Sequence, residues 1–200
     1  MPDRTLLIGS GNRDKARELA AILDETPWIV QCLADLEDIE PPTEDGEAFE
    51  DNALLKASYY GAAFGLPCVA DDSGLEVDVL DGAPGVWSAR YAGEGCFYAD
   101  NNAKLLRELQ GWRDPDARRS RFVCCAAYVD PDGRRFVDRG SVEGRIALEP
   151  RGSEGFGYDP IFIPDGWEET FAELPQEIKH AISHRGRAFA KLKAFLETLY

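Results

Sequence analysis

The sequence is short of several features that would place it quickly. It has no apolar run near ~18 residues, which excludes a transmembrane helix. Its five cysteines (Cys32, Cys68, Cys96, Cys124, Cys125) are odd in number, scattered and never spaced C-x-x-C. That pattern supports neither a disulfide framework nor a zinc site. There is no Gly-Lys dipeptide, so there is no P-loop. Internal repeats, low-complexity stretches and linkers are also missing. The opening Met1-Pro2-Asp3-Arg4 leads directly into Leu6-Leu7-Ile8. That is not the layout of a secretory leader, so a cytosolic setting is expected.

Basic residues are scarce against acidic ones, 22 Lys+Arg to 37 Asp+Glu, for a net charge of −15. Such a chain repels nucleic acid and anionic membranes at long range. It would repel a polyphosphate too, unless local cations or a divalent metal invert the field. Lysine is the rarer cation: only positions 15, 56, 104, 179, 191 and 193. An apolar share of 44% over 200 residues fits one domain, residues 1–200, with or without two lobes.

Hydrophobic periodicity predicts strands at 5–8 and 28–33 and helices at 14–24 and 48–64. Between them lies an acidic, Pro-containing loop at 37–47. A strand at 67–70 is expected to end in a polar turn, Asp71 to Gly74, followed by a strand at 75–79. Residues 81–95 read as loop and 99–110 as helix. Strand-rich segments at 121–129 and 134–148 flank the hairpin signal Pro131-Asp132-Gly133. A short strand at 158–164 and helices at 175–181 and 185–199 complete the chain. The alternation implies an α/β fold, a mixed sheet flanked by helices with a strand-rich second lobe.

Five segments carry candidate chemistry. Gly9-Ser10-Gly11-Asn12-Arg13-Asp14-Lys15 joins a strand to a helix, where backbone N–H groups and the helix dipole favour an anion. It is not a dinucleotide fingerprint, because Asp14 stands where a third glycine is needed. Lys15 opposes the dipole, so it makes more sense as a ligand contact than as a cap. Asp71-Asp72-Ser73-Gly74 follows a strand, and alternation lets one carboxylate face a crevice at the strand end. Mg²⁺ commonly takes one or two carboxylates, with water and phosphate oxygens completing its shell. Glu44 in the preceding loop could reach such a metal, and Asn52 and Lys56 share a helix face. In Gly155-Phe156-Gly157-Tyr158-Asp159 an aromatic ring between glycines suits stacking on a flat base. Ser183 can cap the helix that follows, and Lys179, His184 and Arg185 place cations near its start, suited to an acceptor-rich ligand. Each segment also has a plain reading as turn, core or solvated surface.

Taken together and in order, these segments resemble the Ham1-like family of non-canonical purine nucleoside triphosphate pyrophosphatases, from Leu6 to near the C-terminus. Ala83-Pro84-Gly85 and Ser88-Ala89-Arg90-Tyr91 add to the likeness. Asp45 and Trp87 depart from the family's usual residues. The resemblance implies a curved mixed sheet with two lobes, a central substrate cleft and a homodimer. It implies Mg²⁺-dependent hydrolysis of ITP, dITP or XTP to the monophosphate and pyrophosphate. By motif, Ser10, Gly11, Asn12, Arg13, Asp14, Lys15 and Lys56 would hold the triphosphate. Asp72 would be the general base and, with Glu44, a metal ligand, and Ser73 would touch substrate. Phe156, Gly157, Tyr158 and Asp159 would form the base wall, and Lys179, His184 and Arg185 would read the 6-keto edge. Two alternatives stand beside this. One is a Maf-like nucleotide pyrophosphatase, disfavoured because that family opens with a Ser-x-Ser-x-Arg-Arg type segment. The other is a non-catalytic nucleotide-binding module, disfavoured by the retention of Asp72, Glu44 and Lys15.

Overall fold

A computed structural model describes residues 4–24, 26–36 and 39–199. The first three residues, whose layout suggested the absence of a leader, and positions 37 and 38 of the predicted loop lie outside the described residues. Among the described residues six strands form one mixed sheet: β1 (Thr5–Ile8), β2 (Ile29–Cys32), β3 (Cys68–Val77), β4 (Arg119–Val129), β5 (Arg135–Ile146) and β6 (Phe162–Pro164), in the order β2-β1-β3-β4-β5-β6. β1 runs parallel to both β2 and β3, and β5 runs antiparallel to β6. Parallel neighbours need crossovers, and two helices supply them: α1 (Arg13–Leu23) between β1 and β2, and α2 (Phe49–Phe64) between β2 and β3. The remaining helices are α3 (Tyr98–Glu108), α4 (Gln176–Ile182) and α5 (His184–Glu197). Among the described residues no helix is long and apolar enough to cross a membrane.

The chain divides into two compact units. The first comprises Met1–Asp72, Cys124–Gly140 and Arg185–Tyr200; the second comprises Ser73–Val123 and Ser141–His184. Strand alternation organises the first. Leu6 and Ile8 of β1 and Val69 of β3 pack with Leu19 and Leu23 of α1 and Phe189, Leu192 and Leu196 of α5. Leu7 and Cys68 point the other way and meet Tyr60 of α2. Each large apolar side chain buried this way contributes roughly 1.5–3 kcal/mol. The core of the second unit gathers Leu75 and Val77 of β3, Leu105 of α3, Phe122 of β4, Val142 and Ile146 of β5, and Phe162 and Phe171.

Most expected elements appear within two or three residues of their predicted ends. The hairpin turn is present, with Gly133 at φ +85° and Asp130 Oδ1 accepting from Arg134 N at 2.8 Å. Three expectations fail, the first being the loop at 81–95, within which Gly85–Arg90 forms a 3₁₀ helix. Asp71-Asp72-Ser73-Gly74 is not a turn: β3 runs unbroken from Cys68 to Val77. Both carboxylates find cations and donors inside the fold, so the strand need not stop to solvate them. The segment 158–161 is also not strand: Asp159–Ile161 is a 3₁₀ turn and β6 begins at Phe162.

Candidate active site

The phosphate-type segment lies in the first unit. β1 ends at Ile8, and Gly9 passes so close to β3 and α2 that a Cβ there would meet Cys68 Sγ and Tyr60 Cδ2 at 2.9 Å each. Asn12 is the N-cap of α1, its Oδ1 accepting from Asp14 N at 3.0 Å and Lys15 N at 3.2 Å. Ser10 Oγ in turn accepts from Asn12 N at 3.3 Å. The loop thus satisfies part of its own donor set, while the N–H groups of Gly11 and Arg13 have no acceptor among the described residues. The Asp14 carboxylate faces Arg17 one turn on, at 3.8 Å, a common place for an acid in a first helical turn.

The same alternation that sorts the core sorts the two aspartates. Asp71 shares the Val69 side of β3 and faces α1 and α5: its Oδ2 lies 3.2 Å from Lys15 Nζ and 3.7 Å from Arg185 Nε. Arg185 is buried and donates from Nη1 to Glu18 Oε2 at 2.5 Å. Its acidic neighbours Asp71 and Glu18 outweigh burial and hold its pKa above the usual guanidinium value. Asp72 shares the Cys68 side and faces α2. Lys56 Nζ donates to Asp72 Oδ1 at 3.2 Å and to Glu44 Oε2 at 2.6 Å, so two carboxylates converge on one cation. Asn52, one turn before Lys56, donates from Nδ2 to Asp72 Oδ2 at 3.2 Å and accepts from Gly46 N at 2.9 Å. It ties the Glu44 loop to the strand.

Burial raises the Asp72 carboxyl above the ordinary carboxylate value; Lys56 and Lys15 oppose the shift, and Glu44 and Asp71 add to it. Burial alone would pull Lys56 down, but Asp72, Glu44 and Asp71 outweigh it and hold the ammonium above its usual value. A buried carboxylate with raised proton affinity, beside a cation that stays charged, is a group able to accept a proton.

Among the described residues no group of three or more His, Cys, Asp or Glu could hold a metal ion. Mg²⁺ does not require one, because waters and phosphate oxygens fill most of its octahedron. The pair Glu44 and Asp72, already gathered around a cation, fits that modest demand.

The base-type segment lies in the second unit. Phe156 sits between Gly155 (φ +75°) and Gly157 (φ +65°), both in the left-handed region. A Cβ on Gly155 would collide with Asp159 Oδ2. That oxygen accepts from Phe156 N at 2.7 Å and from Lys179 Nζ at 2.8 Å. Lys179 Nζ also lies 5.1 Å from the Phe156 ring centroid, and the Tyr98 ring lies 6.0 Å away on a tilt. Asn102 of α3 donates to Gly157 O at 3.1 Å. Tyr158 is buried and its hydroxyl donates to Ser88 O at 2.9 Å, which anchors the loop. The His184 ring stacks on Phe122, with centroids 4.6 Å apart and planes 10° apart.

The structure therefore brings Lys15, Glu44, Lys56 and Asp72 together with Asp71 and Arg185 in one unit. Phe156, Asp159 and Lys179 come together in the other, where His184 packs on Phe122. Ser73 is half-buried on β3. Arg185, grouped by sequence with Lys179 and His184, is engaged by Glu18 and Asp71 of the first unit. Sequence reasoning gave no role to Asp71, Asn52 or Asn102. The signals that pointed to them were the paired carboxylates Asp71-Asp72 and the four-residue spacing of Asn52 and Lys56; none pointed to Asn102.

Residues 6–195 match the Ham1 family. The chain is 49% identical over 191 residues to the dITP/XTP pyrophosphatase of Geobacter sulfurreducens, covering 96% of both chains. It is 45% identical over 193 residues to the dITP/XTP pyrophosphatase of Exiguobacterium sibiricum, covering 96% of this chain and 97% of that one. The Ham1 protein of Staphylococcus aureus superposes with a TM-score of 0.84 at 40% identity, over 98% of this chain and all of that one.

Proposed function

The chain belongs to the Ham1 family, and on that premise we propose that it hydrolyses dITP, ITP and XTP to the monophosphate and pyrophosphate with Mg²⁺. The observation that carries the reading is the convergence of Glu44 and Asp72 on Lys56, with Asp72 buried and its proton affinity raised. Similarity to relatives named dITP/XTP pyrophosphatases supports the substrate class.

In this reading Asp72 accepts a proton from water as the water oxygen attacks the α-phosphorus. The bond from that phosphorus to the bridging oxygen breaks, and pyrophosphate leaves with the bond's electrons. Lys15 and Lys56 stabilise the charge that develops on the leaving group. The N–H groups of Gly11 and Arg13 and the start of α1 supply further anion contacts. The cations Lys15, Lys56 and Arg185 are already matched by Asp71, Asp72, Glu44 and Glu18. The protein alone therefore offers a polyphosphate little net positive field. Mg²⁺ held by Glu44 and Asp72 would supply it, neutralising phosphate charge and acidifying bound water.

Phe156 offers a ring face to the purine, and Lys179 offers a donor at its edge. Hypoxanthine and xanthine present O6 as an acceptor there, whereas adenine presents an amino donor. A donor facing a donor leaves both unpaired, and such mismatches cost several orders of magnitude. Cleansing of the free nucleotide pool, a cytosolic location and a homodimeric state belong to the same reading.

The test is pyrophosphate release from ITP, dITP, XTP, GTP, ATP and pyrimidine triphosphates, with and without Mg²⁺. Metal-dependent release confined to the first three is expected. Activity mainly on pyrimidine nucleotides would replace this reading with a Maf-like one. Binding of ITP without release would leave only a nucleotide-binding module.

A further inference from the structure

The second unit contains eight arginines. Five of them reach a carboxylate: Arg90 on Glu94, Arg119 on Asp165, Arg121 on Glu143, Arg145 on Glu168 and Arg151 on Glu173. In a chain with 37 Asp+Glu to 22 Lys+Arg such pairing is the default. The three without a carboxylate partner among the described residues are Arg107, Arg113 and Arg118. All three line one cavity of about 330 Å³ beside the C-terminal end of α3, and no acidic residue lines it. None of its lining residues belongs to the candidate active site.

The cavity is also built in part. Arg118 is 3% exposed, and its guanidinium is held rigidly by four backbone carbonyls. Nε donates to Ile146 O, Nη1 to Leu109 O and Trp112 O, and Nη2 to Ala147 O, at 2.7–2.9 Å. A guanidinium has five N–H groups, so one on Nη2 has no acceptor among the described residues. Four carbonyl dipoles solvate the charge but do not cancel it, and burial pulls the Arg118 pKa below its usual value. An anion alongside would offset that cost. Arg107 and Arg113 are exposed and free to close on a ligand. Apolar surface is present as well: Trp112 is 40% exposed and Leu148 is 61% exposed, and Leu106 lies with them. The volume falls at the lower end of small-molecule sites, roughly 300–1,000 Å³.

We propose that this cavity binds a small ligand that carries a phosphate group on a flat apolar body, with Arg107, Arg113 and Arg118 taking the phosphate and Trp112 and Leu148 taking the body. Arginine suits both halves, since its planar fork matches phosphate oxygens and stacks on rings.

The test is calorimetric titration of AMP and of inorganic phosphate into the wild-type protein, the R107E/R113E double variant and Trp112→Ala. AMP joins a phosphate to a flat base, and adenine is the base the candidate active site is expected to refuse. Saturable AMP binding is expected, weakened at least about tenfold in the double variant with ITP turnover unchanged. Trp112→Ala should weaken AMP while leaving inorganic phosphate nearly unaffected. Absence of saturable AMP binding would overturn the proposal. So would binding that survives R107E/R113E but disappears in Lys15→Ala, which would place AMP at the phosphate loop. A change of oligomeric state in the double variant, read by sedimentation, would assign the arginines to a second copy instead. The two substituted arginines are exposed, so folding is not at stake, and the tryptophan variant tests the site independently. Failure of the proposed hydrolase activity would leave these titrations unaffected.

Discussion

Asp71 and Asp72 are neighbours on β3 but serve opposite faces of it: Asp71 lies 3.2 Å from Lys15 Nζ, and Asp72 lies 3.2 Å from Lys56 Nζ. Side chains alternate along a strand, so one peptide step moves a carboxylate from the α1 and α5 layer to the α2 layer. Two residues of identical chemistry therefore acquire different duties, and substitution should separate them.

Asp72→Asn removes the proton acceptor but keeps an oxygen for Lys56. It should lower kcat by roughly 100- to 10,000-fold while ITP affinity stays within about tenfold. Steady-state kinetics with calorimetric binding decide it. Turnover like that of the wild type would take Asp72 out of the mechanism.

Asp71→Asn should act on stability first. It removes one carboxylate from beside the buried Arg185 while Glu18 stays, and it releases Lys15. Breaking a buried ion pair while keeping one partner costs several kcal/mol, and Glu18 retains part of the interaction. The expected loss is about 2–4 kcal/mol by urea denaturation. A loss no larger than that of Asp72→Asn would mean that the Asp71 contacts contribute little.

Asn102→Ala tests the support behind the Phe156 loop. The lost hydrogen bond to Gly157 O is worth about 1 kcal/mol. That predicts a KM for ITP raised by about fivefold, kcat nearly constant and a narrower gap between ITP and ATP. If only the thermal midpoint falls and selectivity holds, Asn102 is a packing residue.

The pH behaviour of Asp72 has a definite sign. Its folded pKa lies above the ordinary value of 3.8, raised first by burial. The native state thus holds the proton more tightly than the unfolded chain. Stability attributable to this group falls as pH rises from 3.8 through the folded value, and Asp72→Asn should lack that fall. In the metal-free protein, Lys56→Met should push the Asp72 midpoint further up, and Glu44→Gln should bring it down. Carboxyl NMR titration reads both; midpoints moving in the same direction would contradict the electrostatic account.

What the sequence determined by itself is whatever short-range physics fixes. A strand, a glycine turn and a capping Asn12 place Lys15 at the start of α1. The helical spacing of Phe49, Ala53, Ala57 and Tyr60 buries one face of α2, and Asn52 and Lys56 are buried with it. The glycines on either side of Phe156 take up the left-handed conformations that its turn requires. What only the tertiary structure decided is the choice of partners. Asp71 and Asp72 looked like a solvated turn because nothing nearby in sequence could neutralise them; the cations arrive from α1, α2 and α5. Arg185 follows His184 in sequence, but its carboxylate partner Glu18 stands 167 positions away. Periodicity, capping and turn chemistry act over a few residues and can be read along a chain. Ion pairing depends on which elements the sheet order brings together, and no local pattern encodes that.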